Sequence, residues 1–186
     1  KTSEVGNTIT QLSDKDYEKK KSIFHISIFD NHKNTWHPPT LWIGLGCERN
    51  TSKELIEDSL QSFLATNNLS PLSIAGFATV DLKKDEKAIL EISKEKSLPI
   101  KFFTSQVLSA INTPNPSNVV LNEIGTPSVA EAACILAAGK DSKLLKEKKI
   151  FKSNDSSKST FGAVTIAVSE SKNQYSPLTG EIHIVG

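Results

Sequence analysis

From Leu41 onward the sequence alternates short apolar runs with stretches whose apolar residues recur every three or four positions, and that alternation admits few folds. Leu41 to Gly46 is an apolar run ending in glycine. Thr51 or Ser52 then caps a helix with Glu54 and Glu57 in its first turns and Leu55, Ile56, Leu60, Phe63 and Leu64 at helical spacing. Asn67-Asn68 and Ser70-Pro71 end it. Leu72 to Val80 reads as a second buried strand, Asp85 to Lys96 as a second helix with Ile89, Leu90 and Ile92 inward, and Ile100 to Phe103 as a third strand. Thr104 caps a short helix through Ile111, Asn112 to Asn118 is a proline-containing loop, and Val119 to Glu123 is a strand or a helical turn. Gly125-Thr126-Pro127-Ser128 opens a helix that runs to Ala138 and stops at Gly139. Ile150 to Lys152 and Val164 to Val168 form a late strand pair separated by the polar Ser153 to Ser159. The pattern predicts a three-layer α/β/α domain on a mixed sheet, with an antiparallel edge from the closing pair. Upstream, residues 1–21 read as loop or weak helix, Ser22 to Phe29 as a strand, and Asp30 to Pro39 as a connector.

Composition narrows the possible functions. The 22 basic residues against 21 acidic ones give a net charge of +1, which argues against the positive field of a general nucleic-acid binder. Apolar runs such as Leu41 to Leu45 and Cys134 to Ala138 fall far short of the ~20 residues that span a bilayer, and the first residues lack the apolar stretch of a secretory signal. A cytoplasmic protein with no membrane partner is expected. Cys47 and Cys134 read as reduced thiols, without the clustered spacing of a zinc site. None of His25, His32, His37 and His183 forms a helical metal pair, so no protein-bound metal and no cofactor is expected. The sequence contains no methionine, so Lys1 reads as an internal position of a longer protein. Arg49 is the only arginine.

Three turns carry the candidate chemistry. Gly44-Leu45-Gly46-Cys47-Glu48-Arg49-Asn50-Thr51 joins a strand to a helix. Its glycines let backbone N–H groups face a ligand, the helix N-terminus favours an anion, and Arg49 offers a planar fork to a carboxylate or phosphate. The stretch is neither a dinucleotide fingerprint nor a P-loop, and a plain tight turn is an equal reading. In Gly125 to Glu131, Thr126 or Ser128 caps a helix and Glu131 stands three residues after Ser128, as in a capping box. The functional alternative is a second helix N-terminus aimed at the same crevice. Asp81-Leu82-Lys83-Lys84-Asp85-Glu86 is a charge run of the kind that usually forms a solvated loop. Cys134 belongs to the core, whereas Cys47 is a nucleophile if Arg49 and the helix N-terminus lower its pKa.

Taken in order, LWIGLGCERNTS (41–52), ATVDLKKDE (78–86), GTPSVAEAACILAAG (125–139) and AVTIAVSE (163–170) resemble the C-terminal domain of CbiG, the cobalt-precorrin-5A hydrolase of cobalamin biosynthesis, and the stand-alone CobE proteins. The lysine- and serine-rich segment Lys140 to Ser159 departs from that pattern, and the family's late lysine falls on Lys148. The resemblance implies a CobE-like domain over residues 41–170, preceded by the tail of a middle CbiG segment (1–40). It also implies a corrin intermediate as ligand, a flat macrocycle edged by carboxylates, with cobalt present only as part of the substrate. On the matching positions it places ligand contacts at Gly44, Gly46, Cys47, Arg49, Thr51, Lys83, Glu86, Thr126, Ser128 and Lys148, with Glu131 as the base for opening a lactone and releasing acetaldehyde. Residues 171–186 resemble a linker and the opening strand of a tetrapyrrole methylase, Gly180 to Gly186, which implies a fused precorrin-3B methyltransferase as partner. Two other readings stay open: a corrin carrier without chemistry, and a nucleotide-binding α/β domain.

Overall fold

A computed structural model describes residues 2–5, 8–11, 23–30, 33–117, 125–126, 128–155, 157, 159–172, 174–175 and 182–183. Its centre is a five-stranded sheet in the order β7-β6-β5-β9-β8. The strands are β5 (Leu41–Cys47), β6 (Ile74–Val80), β7 (Ile100–Phe103), β8 (Lys143–Asp155) and β9 (Thr160–Glu170). β5, β6 and β7 run parallel, and β9 lies antiparallel between β5 and β8. The antiparallel strand is therefore internal, and β8 forms the edge, running in the same direction as β5. The β8–β9 pair is longer than its apolar residues suggest, because lysines occupy half of the exposed positions of β8. Lysine on an edge strand discourages pairing with a further chain.

Helix α1 (Lys53–Thr66) and α2 (Lys87–Glu95) cover one face of the sheet, where Leu60, Phe63, Ile89 and Ile92 pack on Leu41, Ile43, Leu45 and Phe77. The short α3 (Ser105–Ser109) and α4 (Val129–Ala138) cover the other. α4 is rich in alanine because it lies almost directly on β5: a Cβ added to Gly44 would stand 1.8 Å from the carbonyl oxygen of Ala130. Gly139, at φ 91°, ends the helix in a conformation that L side chains rarely adopt.

Three expectations change in detail. Leu72 sits in a 3-10 turn, Pro71–Ser73, ahead of β6 and is 73% exposed. Leu90 falls off the buried face of α2 defined by Ala88, Ile89 and Ile92. Residues 1–21, expected as loop or weak helix, contain strands β1 (Thr2–Val5) and β2 (Thr8–Gln11), which pair as a hairpin rich in threonine with Val5 and Ile9, residues suited to a pleated strand. With β3 (Ile23–Ile26) and β4 (Thr35–Trp36) they make a second sheet, and β10 (Gln174–Tyr175) pairs with β11 (Ile182–His183). Val119 to Glu123 and Pro127 lie outside the described residues.

Candidate functional site

The carboxyl ends of β5 and β6 and the N-terminus of α4 meet at one edge of the sheet, where open α/β folds place ligands. There the structure redistributes the roles expected for the first turn. The backbone of Gly44 to Cys47 is held in the ladder with β9, so it is not a free row of donors. The N-terminus of α1 is also covered: Ser52 N–H donates to Phe161 O (3.1 Å), and Ser52 Oγ accepts from Phe161 N–H (3.0 Å) and Leu55 N–H (3.3 Å). Thr51 Oγ1 lies 2.9 Å from the carbonyl of Glu48 and 3.2 Å from that of Ala163. Strand β9 thus occupies the position expected for an anion.

Arg49 binds protein groups. Its guanidinium donates to Asp85 Oδ1 and to the carbonyl of Leu82, both at 2.6 Å, and stands 3.7 Å from Glu86 Oε2. The hydrogen bond from Arg49 holds the Asp85 carboxyl below its usual range. Buried Glu86 accepts from Asn50 N–H at 3.0 Å. Arg49, Asn50 and Glu86 therefore fasten the first turn to the second.

Lys83 is the cation left over. It sits in the 3-10 turn Asp81–Lys83 that follows β6, is only 6% exposed, and its side chain makes no hydrogen bond or ion pair among the described residues. Its stem is packed away from water while the ammonium reaches solvent at the sheet edge, close enough to the Asp85 carboxyl to help lower it. The nearest titratable group on β5, Cys47, is influenced by Lys83 more than by any other charge. Burial outweighs that attraction and pushes the Cys47 thiol up to about 11, so the expected activated nucleophile is a neutral thiol at pH 7.

On the other side of the sheet, Ser128 caps α4 by position but not by hydrogen bond. Its hydroxyl donates instead to Glu131 Oε2 at 3.1 Å, which replaces the expected capping box. Glu131 is fully buried, and its Oε1 accepts from Asn115 Nδ2 (2.9 Å) and from Lys148 N–H (3.1 Å). A bulge in β8 between Lys146 and Lys149 takes Lys148 out of the ladder and turns its backbone toward Glu131. The Lys148 ammonium donates to the carbonyl of Asn115, and Asn115 Nδ2 also reaches Glu147 Oε2 at 3.0 Å. Glu131 thereby ties together α4, the proline loop and β8. Thr126 Oγ1 and Thr113 Oγ1 are buried without a partner beside this network.

Gly44, Gly46, Cys47, Arg49, Thr51, Lys83 and Glu86 thus lie along the ends of β5 and β6, and Thr126, Ser128, Glu131 and Lys148 around the start of α4. The halves adjoin at Gly46, whose added Cβ would lie 3.9 Å from Val129 Cβ. Asn115 and Glu147 escaped the sequence reading because only the bulge and the fold of the proline loop bring them to Glu131. Among the described residues no group of three or more His, Cys, Asp or Glu could hold a metal ion, and no helix is long and apolar enough to cross a membrane.

Fold and edge together define an α/β domain of the kind that binds a ligand across the ends of its parallel strands. The sequence matches the family described as Cobalamin synthesis G C-terminus over residues 41–169, and the chain belongs to that family, which serves cobalamin biosynthesis. It is 34% identical over 114 residues to the cobalt-precorrin-5A hydrolase of Priestia megaterium, a match that covers 61% of this chain but 30% of that protein. Protein CobE of Sinorhizobium sp is 32% identical over 110 residues, with 58% of this chain and 71% of CobE covered. The crystal structure of a CobE from the cobalamin pathway superposes with a TM-score of 0.60 at 29% identity, covering 72% of this chain and 91% of that one.

Proposed function

We propose that this domain binds a carboxylate-edged corrin intermediate of cobalamin biosynthesis across the ends of β5 and β6. In this reading it serves as part of a cobalt-precorrin-5A hydrolase that opens the ring-A lactone and releases acetaldehyde. The observation that carries the reading is Lys83, whose stem is packed at the edge where the family motifs meet and whose ammonium makes no hydrogen bond or ion pair among the described residues. An anionic arm of the ligand takes the direct contact that the protein leaves open at this ammonium. Exposed Leu82, Val107 and Phe161, at the ends of β6, β7 and the β8–β9 arm, give the same edge apolar side chains suited to a macrocycle.

Lactone opening requires water to add to the carbonyl carbon, a group to accept its proton, and donors for the developing oxyanion. Glu131 has no exposed surface and is already bonded by three donors. Within this domain it acts as a positioning residue that sets Asn115, Ser128 and Lys148. That saturation favours a second reading, a corrin-holding module that passes its ligand to a neighbouring domain such as the precorrin methyltransferase expected from Gly180 to Gly186. Titration with cobalt-precorrin-5A, followed by visible absorption, tests the binding claim. Saturable change unaffected by ATP or NAD is expected, and competition by either nucleotide would overturn it. An acetaldehyde assay on this chain and on the full-length protein then separates the two readings, since release by either identifies chemistry and its absence from both identifies holding.

A further inference from the structure

Beyond Cys47 the β8–β9 pair continues past the end of β5, so that part of its surface forms an arm beside the carboxyl edge. The faces of this arm follow from its packing. Val164 and Ile166 join the core under α1, with Phe151 packed against it, whereas Ala167 packs on Ala130 and Cys134 of α4. By alternation, Ile150, Lys152 and Asn154 of β8 and Phe161, Ala163 and Thr165 of β9 share the α4 side. Register places Ile150 opposite Thr165, Lys152 opposite Ala163 and Asn154 opposite Phe161. α4 begins at Gly46 and covers the sheet inward from there; Ile150, level with Gly46 on the edge strand, is 57% exposed, and Phe161, beyond the end of β5, is 50% exposed.

From this arrangement we infer that the α4-side face of the arm is the surface on which the flat macrocycle lies, with Ile150 and Phe161 against its apolar face and Lys152 meeting a peripheral carboxylate. The inference rests on the corrin reading above and adds residues that no family motif marks. Charge supports this occupant. Residues 143–162 contain six lysines and two acidic residues, so a chain of net charge +1 is net negative everywhere else. Protection of the sheet edge accounts for lysines on β8. It does not account for a large apolar side chain on each strand flanking one of those lysines on a sheet face. A shallow depression lined by Glu48, Lys152, Ser153, Asn154, Gly162 and Ala163 adjoins this surface. The Phe161 backbone is fixed on both its N–H and C=O by Ser52, so its ring is presented from a rigid strand, which limits the ordering cost of binding.

Cobyrinic acid and its heptamethyl ester separate charge from shape, because the two share one ring and differ in anionic arms. Each is titrated by visible absorption against the full chain and its variants, with circular dichroism to verify folding. The expected results are that Ile150→Ser combined with Phe161→Ser weakens both ligands about tenfold, that Lys152→Ala weakens only the acid, by about fivefold, and that Lys143→Ala, at the far end of β8, changes neither by more than about twofold. Amide exchange of residues 150–165, slowed by cobyrinic acid, provides a second measure that does not depend on substitution. Loss of binding in Lys83→Met with no effect of the arm variants and no protection of residues 150–165 would overturn this inference while leaving the corrin reading intact. Failure of the unaltered chain to bind either ligand would overturn both.

Discussion

Gly44 and Gly46 stand two residues apart in β5, on the same face and beneath the same helix, yet the structure assigns them opposite sensitivities. A Cβ on Gly44 would lie 1.8 Å from the Ala130 carbonyl oxygen and 2.7 Å from its carbon. A carbon–oxygen contact of this type needs about 3.3 Å, so Gly44→Ala requires α4 to move outward by roughly 1.5 Å. Backbone lies on both sides of the overlap, so no side chain can absorb it by rotating. The displacement would also loosen the contacts that Ala130 and Cys134 make with Ala167 and strain the Glu131 bonds to Asn115 and Lys148. Overpacking of a tight core costs about 1–3 kcal/mol, and loss of helix packing adds to it, so a total near 3–4 kcal/mol is expected. For Gly46→Ala the added Cβ would meet Thr165 Cβ at 3.6 Å and Val129 Cβ at 3.9 Å, ordinary contacts. That substitution should change stability by less than about 1 kcal/mol, since alanine also lowers the entropy of the unfolded chain. Urea unfolding of the three proteins measures the difference. Equal destabilisation by the two substitutions, or a Gly44→Ala cost below about 1 kcal/mol, would refute the close approach of α4 to β5.

Further outcomes follow from the same contacts. Glu131→Ala strands the buried Ser128 hydroxyl and the part-buried Lys148 N–H and takes one acceptor from Asn115, so it should cost about 2–3 kcal/mol in urea unfolding, whereas a loss under about 1 kcal/mol would show that these bonds are not formed. Alkylation of Cys47 by iodoacetamide should be slow at pH 8 and accelerate toward a thiol pKa of about 11, and rapid reaction at pH 7 would contradict the burial of that thiol. Asp85, held low by Arg49, contributes stability above the usual carboxylate range that is lost as pH falls through its lowered value; any difference between the parent and Arg49→Ala should therefore vanish in acid, and a difference that grew there would reverse the assigned sign.

The sheet, its helices and their order were legible in the sequence because each relies on local pattern. Leu55 to Leu64 repeat at helical spacing, Gly139 stops α4, and Ile100 to Phe103 lies between two polar turns. What sequence could not show depends on neighbours distant along the chain. Arg49 reads as a fork for a ligand until Asp85 and the Leu82 carbonyl, 36 and 33 residues away, are found occupying it. Ser128 and Glu131 have capping-box spacing, yet the carboxylate turns to Asn115 and to a backbone N–H freed by the bulge at Lys148. Ile150 and Phe161 look like core residues of a strand pair, yet Phe161 is left exposed because the pair runs past β5, and Ile150, level with Gly46, because it stands on the edge strand beside the start of α4. Lys83 was legible as a candidate from its turn, but the packing of its stem with no direct bond at the ammonium was not.

The charge on Lys83 is the most direct point at which to test the account. Lys83→Met keeps a packed apolar stem and removes an ammonium that makes no direct bond to the protein, so it should leave the protein within about 1 kcal/mol of the parent in urea. The same substitution should weaken cobalt-precorrin-5A in a visible-absorption titration by about tenfold or more, the loss expected for one charge-assisted contact of about 1.5–3 kcal/mol. Lys84→Met, at the exposed neighbouring position, serves as the control and should stay within about twofold of the parent. Stable Lys83→Met protein that binds the corrin as tightly as the parent, or an equal loss in both variants, would contradict the claim that Lys83 receives an anionic arm of the ligand.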